Sequence, residues 1–132
     1  MLKGATQMKI TVDQTGSSKV ALIESGDLVI STVQDALDLM ATVHYEAETD
    51  KILIPKANIA ESFFDLSTKL AGEILQKYTN YRVKIAIVGD FAGYESKSLK
   101  SFIYECNQGK QVFFVPDRET ALRALHTGSL SQ

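Results

Sequence analysis

The 132-residue chain has a single cysteine, Cys106, so no disulfide can form within it. A lone thiol fits a reducing compartment. Lys and Arg total 14 against 16 Asp and Glu, and the basic residues are not clustered. A nucleic-acid surface needs such clusters. No apolar run approaches the length of a membrane span, and Met1–Gln7 lacks the apolar centre of a signal peptide. These absences set the expectation of a cytoplasmic protein, with no membrane insertion and no nucleic-acid partner.

Chemical signatures are missing as well. His44 and His126 are the only histidines, and neither stands at a metal-ligand spacing from the other or from Cys106. Gly89-x-x-x-Gly93 lacks the Lys-Ser/Thr ending of a phosphate loop, and Ser62 is in no Gly-x-Ser-x-Gly elbow. No metal, no cofactor and no catalytic residue is implied. His44 reads as a packed or capping residue, and Cys106 as an inert thiol on an apolar helix face.

What the chain does have is well-punctuated hydrophobic patterning. Val83–Val88 is a continuous apolar run broken only by Lys84, and Gly89-Asp90 stops it. A helical pattern follows, with Ser96 as N-cap, Leu99, Phe102, Ile103 and Cys106 on one face, and Gly109 as a left-handed C-cap. Val112–Val115 is a second apolar run, stopped by Pro116-Asp117. This is a strand–helix–strand unit.

The rest of the chain extends it. Met8, Ile10 and Val12 alternate with polar residues, and a turn signal at Gln14–Ser17 leads to a strand over Lys19–Glu24, which predicts a hairpin. Ser31 with Gln34, or Thr32 with Asp35, caps a helix striped by Val33, Leu37, Met40 and His44 or Val43. Lys51–Pro55 reads as a buried strand. A long helix is expected from Ile59 to Tyr78, with Gly72 marking a close approach to the sheet. Phe63 and Phe64 lie about 100° apart on it, so either the buried stripe is wide or one ring faces a pocket or a partner. Asp117 caps a last helix through about Leu125.

The order β-β-α-β-α-β-α-β-α predicts an α/β fold. It has one mixed sheet of about five strands: an N-terminal antiparallel hairpin, then parallel strands joined by helix crossovers. One domain is expected over residues 8–125, with an extension at Met1–Gln7 and a flexible tail at His126–Gln132.

Ligands of open parallel sheets bind beyond the carboxyl ends of the strands. Lys56, Glu61, Ser62, Asp90, Tyr94, Asp117 and Arg118 leave strands at that edge. Of these, Lys56, Asp90, Tyr94 and Arg118 are the candidate ligand-binding residues. Each also has a plain structural reading: Asp117 and Ser96 as caps, Asp90 as a turn residue, Lys56, Glu61 and Arg118 as solvated charges.

The run KILIPKANIAESFFDLSTKLAGEILQKYTNYRVKIAIVGDF, with SLKSFIYECNQGKQVFFVPDRETAL after it, resembles the uncharacterised bacterial family called domain of unknown function 4180, over about Met8 to Leu125. The closing RVKIAIVGD…QVFFVPDRETALRAL is similar in architecture to the anti-sigma-factor antagonist-like fold, whose members are mostly binding and regulatory modules. Some carry a phosphorylatable serine after the third strand. That resemblance implies Ser62 as the corresponding position, although the Asp-Ser-Ser-Gly motif is absent. Three functions remain open: a non-catalytic binding or regulatory module with a partner surface near the second and third helices, a small-ligand binder or small enzyme at the carboxyl edge, and a homo-oligomeric subunit pairing through the hairpin.

Overall fold

The structure is a computed structural model that describes residues 8–130, so the expected extension at Met1–Gln7 lies outside the described residues. The elements are β1 (Lys9–Thr15), β2 (Ser18–Glu24), α1 (Val33–Ala47), β3 (Lys51–Pro55), α2 (Leu70–Asn80), β4 (Lys84–Val88), α3 (Lys97–Gln108), β5 (Val112–Val115) and α4 (Arg118–Thr127). The strands form one sheet in the order β1-β2-β3-β4-β5. β1 and β2 are antiparallel, and the other neighbours are parallel. The expected mixed five-stranded α/β sheet is what the chain forms.

Strand order follows chain order from β2 to β5. With right-handed crossovers this places α1, α2 and α3 on one face. Ile52, Ile54, Ile85, Ile87 and Phe114 point into that layer, where they meet Leu39, Val43, Ile74, Tyr78 and Leu99. Alternate residues Leu53, Ala86, Phe113 and Val115 point the other way, onto Ala121, Ala124 and Leu125 of α4. Burial on both faces is why these strands read as unbroken apolar runs.

The caps follow the local chemistry. Thr32 and Asp35 make the capping box of α1, the second of the two alternatives. The buried stripe of α1 is Ala36, Leu39, Val43 and Ala47, with Val33 and Met40 packed partly buried beside it, so Val43 rather than His44 completes the expected face. His44 is therefore not packed: its side chain is exposed and its Nδ1 lies 3.0 Å from Asp50 Oδ1. Ser96 caps α3 and Asp117 caps α4, as expected. Gly109 ends α3 with φ −94°, so the expected left-handed cap is absent there. Gly16, at φ +62°, supplies the positive φ that the two-residue hairpin turn needs.

The long helix expected from Ile59 is the main departure. Residues Lys56–Asn58, Glu61–Phe64 and Leu66–Thr68 form three short 3-10 turns, and α2 begins only at Leu70. Asp65 bonds the N–H and hydroxyl of Ser67, capping the third turn, and Lys69 enters α2 with φ +68°. This irregular path resolves the problem of two adjacent phenylalanines. Both rings are buried, at 2 % and 3 % exposure, with centroids 5.0 Å apart edge to face. A regular helix would splay them about 100° apart.

Gly72 also departs from expectation. It is exposed, and a Cβ built on it meets nothing within 4 Å, so it marks no close approach to the sheet. Gly72→Ala is expected to raise stability by about 0.5–1 kcal/mol, since an exposed helix-interior glycine has only its entropy cost. Urea unfolding with an unchanged m value would measure this.

Candidate functional site

The carboxyl ends of β3 and β4 carry the predicted residues. Pro55 ends β3 in an extended conformation and delivers Lys56 into the first 3-10 turn. The Lys56 ammonium lies 5.2 Å from the Phe64 ring centroid and 5.1 Å from that of Tyr94. These two rings stack at 5.6 Å with 22° between their planes. Lys56 Nζ is 3.8 Å from Glu61 Oε1, and the Tyr94 hydroxyl donates to Glu61 Oε2 at 2.6 Å. A cation over aromatic faces with a carboxylate beside it is a favourable arrangement. Lys56, Glu61 and Tyr94 are thus brought together as a clasp between the loops that follow β3 and β4.

Gly89 makes this approach possible. A Cβ on Gly89 would lie 2.6 Å from Lys56 Cβ. The glycine brings the backbone close to a side chain of its own chain rather than to a ligand. Phe64 then continues the packing to Phe91 at 5.9 Å, and Phe91 to Phe114 at 5.4 Å.

The other predicted residues stand apart. Asp90 Oδ1 accepts from Ala92 N–H at 3.0 Å, the turn role of an aspartate, while its charge favours the Lys56 ammonium. Arg118 starts α4, which packs on the opposite face of the sheet. Among the described residues no hydrogen bond or ion pair joins it to Lys56, Asp90 or Tyr94. Asp117 is held below the usual carboxylate range by the Thr120 N–H that it caps. Ser62 is exposed in the second 3-10 turn, and its carbonyl accepts from Thr68 Oγ1. It does not open an α-helix.

The protonation states are those of a fixed clasp. Lys56 is held above the ordinary lysine value, first by a hydrogen bond with Tyr94, then by the charges of Glu61 and Asp90. Burial, and then the bond to Glu61, push the Tyr94 hydroxyl up. A charged lysine and a neutral tyrosine offer no base poised near neutral pH. Beside the clasp lies an open concavity of about 410 Å³, lined by Gly89, Asp90, Phe91, Ala92, Phe114, Val115 and Pro116. Its one charged residue is Asp90, which suits no anion.

These shifts have a consequence for stability. Tyr78, buried with its hydroxyl on the Ala36 carbonyl, is also raised above its ordinary 10.0. For Tyr78, Tyr94 and Lys56 the folded chain holds the proton more tightly than the unfolded chain. The stability they contribute is complete below their ordinary values and is lost as pH rises through the raised ones. The melting temperature is expected to hold to about pH 9 and fall beyond it. Tyr78→Phe should blunt that fall.

A second polar cluster escaped the sequence reading. His126 lies within α4, with Nε2 2.8 Å from Asp13 Oδ2 and Nδ1 2.7 Å from Ser18 Oγ. Lys51 Nζ donates to the same Ser18 hydroxyl at 2.7 Å. Lys51 is held below the usual lysine range by burial and by the neighbouring charge of Lys84. The cluster sits at the amino ends of β2 and β3 and ties the hairpin to α4. Helix α4 runs through Thr127, and Leu130 packs against its core. Residues more than 100 positions apart carry no local signal of such a contact.

Cys106 is half-buried on α3, and burial pushes its thiol up to about 11. That suits an unreactive thiol. Among the described residues no group of three His, Cys, Asp or Glu side chains could hold a metal ion. No helix among them is long and apolar enough to cross a membrane.

A further concavity, about 670 Å³, lies on the helical layer and is lined by Val33, Leu66, Lys69, Gly72, Glu73, Gln76, Lys77, Asn80 and Phe102. A third, about 410 Å³, is lined by Met40, Ala41, His44, Tyr45, Asp50, Tyr81 and Val83.

One family model, described as Domain of unknown function (DUF4180), matches residues 15–125. No curated protein and no solved structure matches the chain.

Proposed function

The chain belongs to the DUF4180 family, and for it we propose a non-catalytic, cytoplasmic binding or regulatory module of the anti-sigma-factor antagonist-like kind. The observation that carries this reading is the groove floored by Gly72. A glycine inside an exposed helix costs about 1 kcal/mol against alanine. Its missing Cβ relieves no contact within the domain. It lines the groove together with Leu66, Gln76 and Phe102. A protein segment with apolar side chains would fill the groove, and Lys69, Glu73 and Lys77 would supply a polar rim.

The committed side chains at the carboxyl edge support the non-catalytic half of the proposal. Lys56, Glu61 and Tyr94 are spent on one another, and Asp90 on its own loop.

Gly72→Arg tests the reading, because it fills the groove without touching the core. Affinity capture and native mass spectrometry of the chain expressed in its own host should retain a partner with the wild type and lose it with the variant. Equal retention by both would move the docking surface elsewhere. Capture of nothing by the wild-type chain would overturn the proposal.

A further inference from the structure

The two edges of the sheet are finished differently. At β5 the amide of Asn107 pairs with the outer backbone of Phe114 in both directions. Its Oδ1 accepts from Phe114 N–H at 2.8 Å, and its Nδ2 donates to Phe114 O at 3.0 Å. All four β5 residues are buried. That edge is closed, as sheet edges need to be in a soluble protein. Among the described residues β1 pairs on one side only, with β2. No comparable amide cap is seen on its outer side among the described residues.

The side chains of β1 are self-complementary about Thr11. Ile10 and Val12 lie opposite Ile23 and Ala21 of β2, on the face of the three-helix layer. Lys9, Thr11 and Asp13 lie on the α4 face, opposite Glu24, Leu22 and Val20. An antiparallel pair of β1 strands centred on Thr11 sets Ile10 of one copy beside Val12 of the other. It also sets Lys9 of each copy beside Asp13 of the other, and Thr11 beside itself. Centred on Val12 instead, Ile10 would face Gln14. Centred on Asp13, two carboxylates would meet.

Backbone direction is compatible with this centre, and the side chains select it over its neighbours. Thr15 and Ser18 close a two-residue turn, so they form a hydrogen-bonded pair. Alternation from Thr15 turns the N–H and C=O groups of Ile10 and Val12 to the open side. Those are the groups that a pair centred on Thr11 would join.

Two further observations fit. Val12 is 42 % exposed, the one large apolar residue so exposed among the described strand residues. His126 holds Asp13 at 2.8 Å while its side chain stays 43 % exposed and reachable by a lysine.

We propose that β1 is a homodimer interface, in which two copies join antiparallel strands centred on Thr11 into one ten-stranded sheet. Closed two-fold pairing of this kind puts the same patch on both partners. The interface is separate from the Gly72 groove and independent of that reading. A strand pair is small as interfaces go, so the dimer belongs to the weak class.

Sedimentation velocity on the full chain tests the association, and cysteine scanning tests the register. A dimer with a dissociation constant of about 10–100 µM is expected. In a Cys106→Ala background, Thr11→Cys should cross-link under mild oxidation. A directly opposed, non-hydrogen-bonded pair has Cα atoms about 4.5 Å apart, within disulfide reach. Lys9→Cys and Val12→Cys should cross-link at least roughly tenfold more slowly, since neither meets itself across the two-fold. Val12→Pro removes an outward N–H, a change that edge strands tolerate, and should weaken the dimer at least about tenfold with little change in melting. Lys9→Glu should weaken it without any backbone change. A monomer at about 500 µM would overturn the proposal. So would equal cross-linking at positions 9, 11 and 12, or undiminished association of both Val12→Pro and Lys9→Glu.

Discussion

Asn58→Ala is expected to cost the fold about 2–4 kcal/mol, read as a lower urea midpoint with an unchanged m value. Asn58 is the one buried polar side chain among the described residues, at 4 % exposure. Its Nδ2 donates to the carbonyls of Ser25 and Asp27 at 2.8 and 2.7 Å. Its own carbonyl accepts from the N–H groups of Val29 and Ile30 at 2.7 and 3.1 Å. A single residue after β3 therefore organises the whole loop between β2 and α1. Alanine keeps the backbone bonds but removes both side-chain bonds, and leaves two carbonyls short of a partner in a part-buried site. Each such loss is worth about 1–3 kcal/mol. Asn58→Asp should be about as costly, because the oxygen that replaces Nδ2 cannot donate. If Asn58→Ala cost under about 0.5 kcal/mol, solvent would be replacing these bonds and the loop would not depend on the amide.

Gly89→Ala is expected to cost about 1–3 kcal/mol, the range for overpacking a filled space. The added methyl would sit 2.6 Å from Lys56 Cβ and 3.0 Å from Lys56 Cδ. The first of these atoms is fixed to the backbone, so the loop itself must move. That movement would also disturb the Lys56, Glu61 and Tyr94 clasp. A double-mutant cycle isolates the contact. On a Lys56→Gly background the cost of Gly89→Ala should shrink by more than half. An undiminished cost would show that the methyl meets something other than Lys56. The sign is opposite to that expected for Gly72→Ala, although both glycines interrupt hydrophobic segments.

Those two glycines show where sequence reasoning stops. Gly72 falls inside a helical pattern and reads as a contact with the sheet; it contacts nothing. Gly89 falls at the end of a strand and reads as its stop; a lysine from the preceding loop packs where its side chain would stand. A glycine announces that a side chain is missing, and only the neighbours in space decide why. The run from Ile59 to Asp65 has the same limit. Its spacing suits a helix, yet burying both Phe63 and Phe64 favours 3-10 turns, a tertiary preference that overrides periodicity.

The strand and helix elements other than that segment were legible because they rest on local rules. Apolar runs stopped by Gly-Asp and Pro-Asp mark β4 and β5, and Ser96 and Asp117 mark the starts of α3 and α4. The class of fold then follows from element order. Most of the candidate site was not legible in this way. Lys56, Asp90 and Tyr94 do gather at the carboxyl edge, but the expectation of a ligand there borrowed a rule about topological switch points. From β2 to β5 this sheet runs in strict chain order, with its three crossover helices on one face. No two loops diverge to leave a crevice, so the edge is free to close on itself through Lys56, Glu61 and Tyr94.

The sequence by itself determined the elements outside the segment from Ile59 to Lys69, the two-faced burial of the parallel strands and the family. Those depend on residues close together in the chain. The tertiary structure alone decided that His126 reaches Asp13 and Ser18, that Asn107 seals one edge of the sheet, and that β1 forms the other edge strand among the described residues. Those depend on which distant residues the strand order makes neighbours, and spacing along a chain does not encode that.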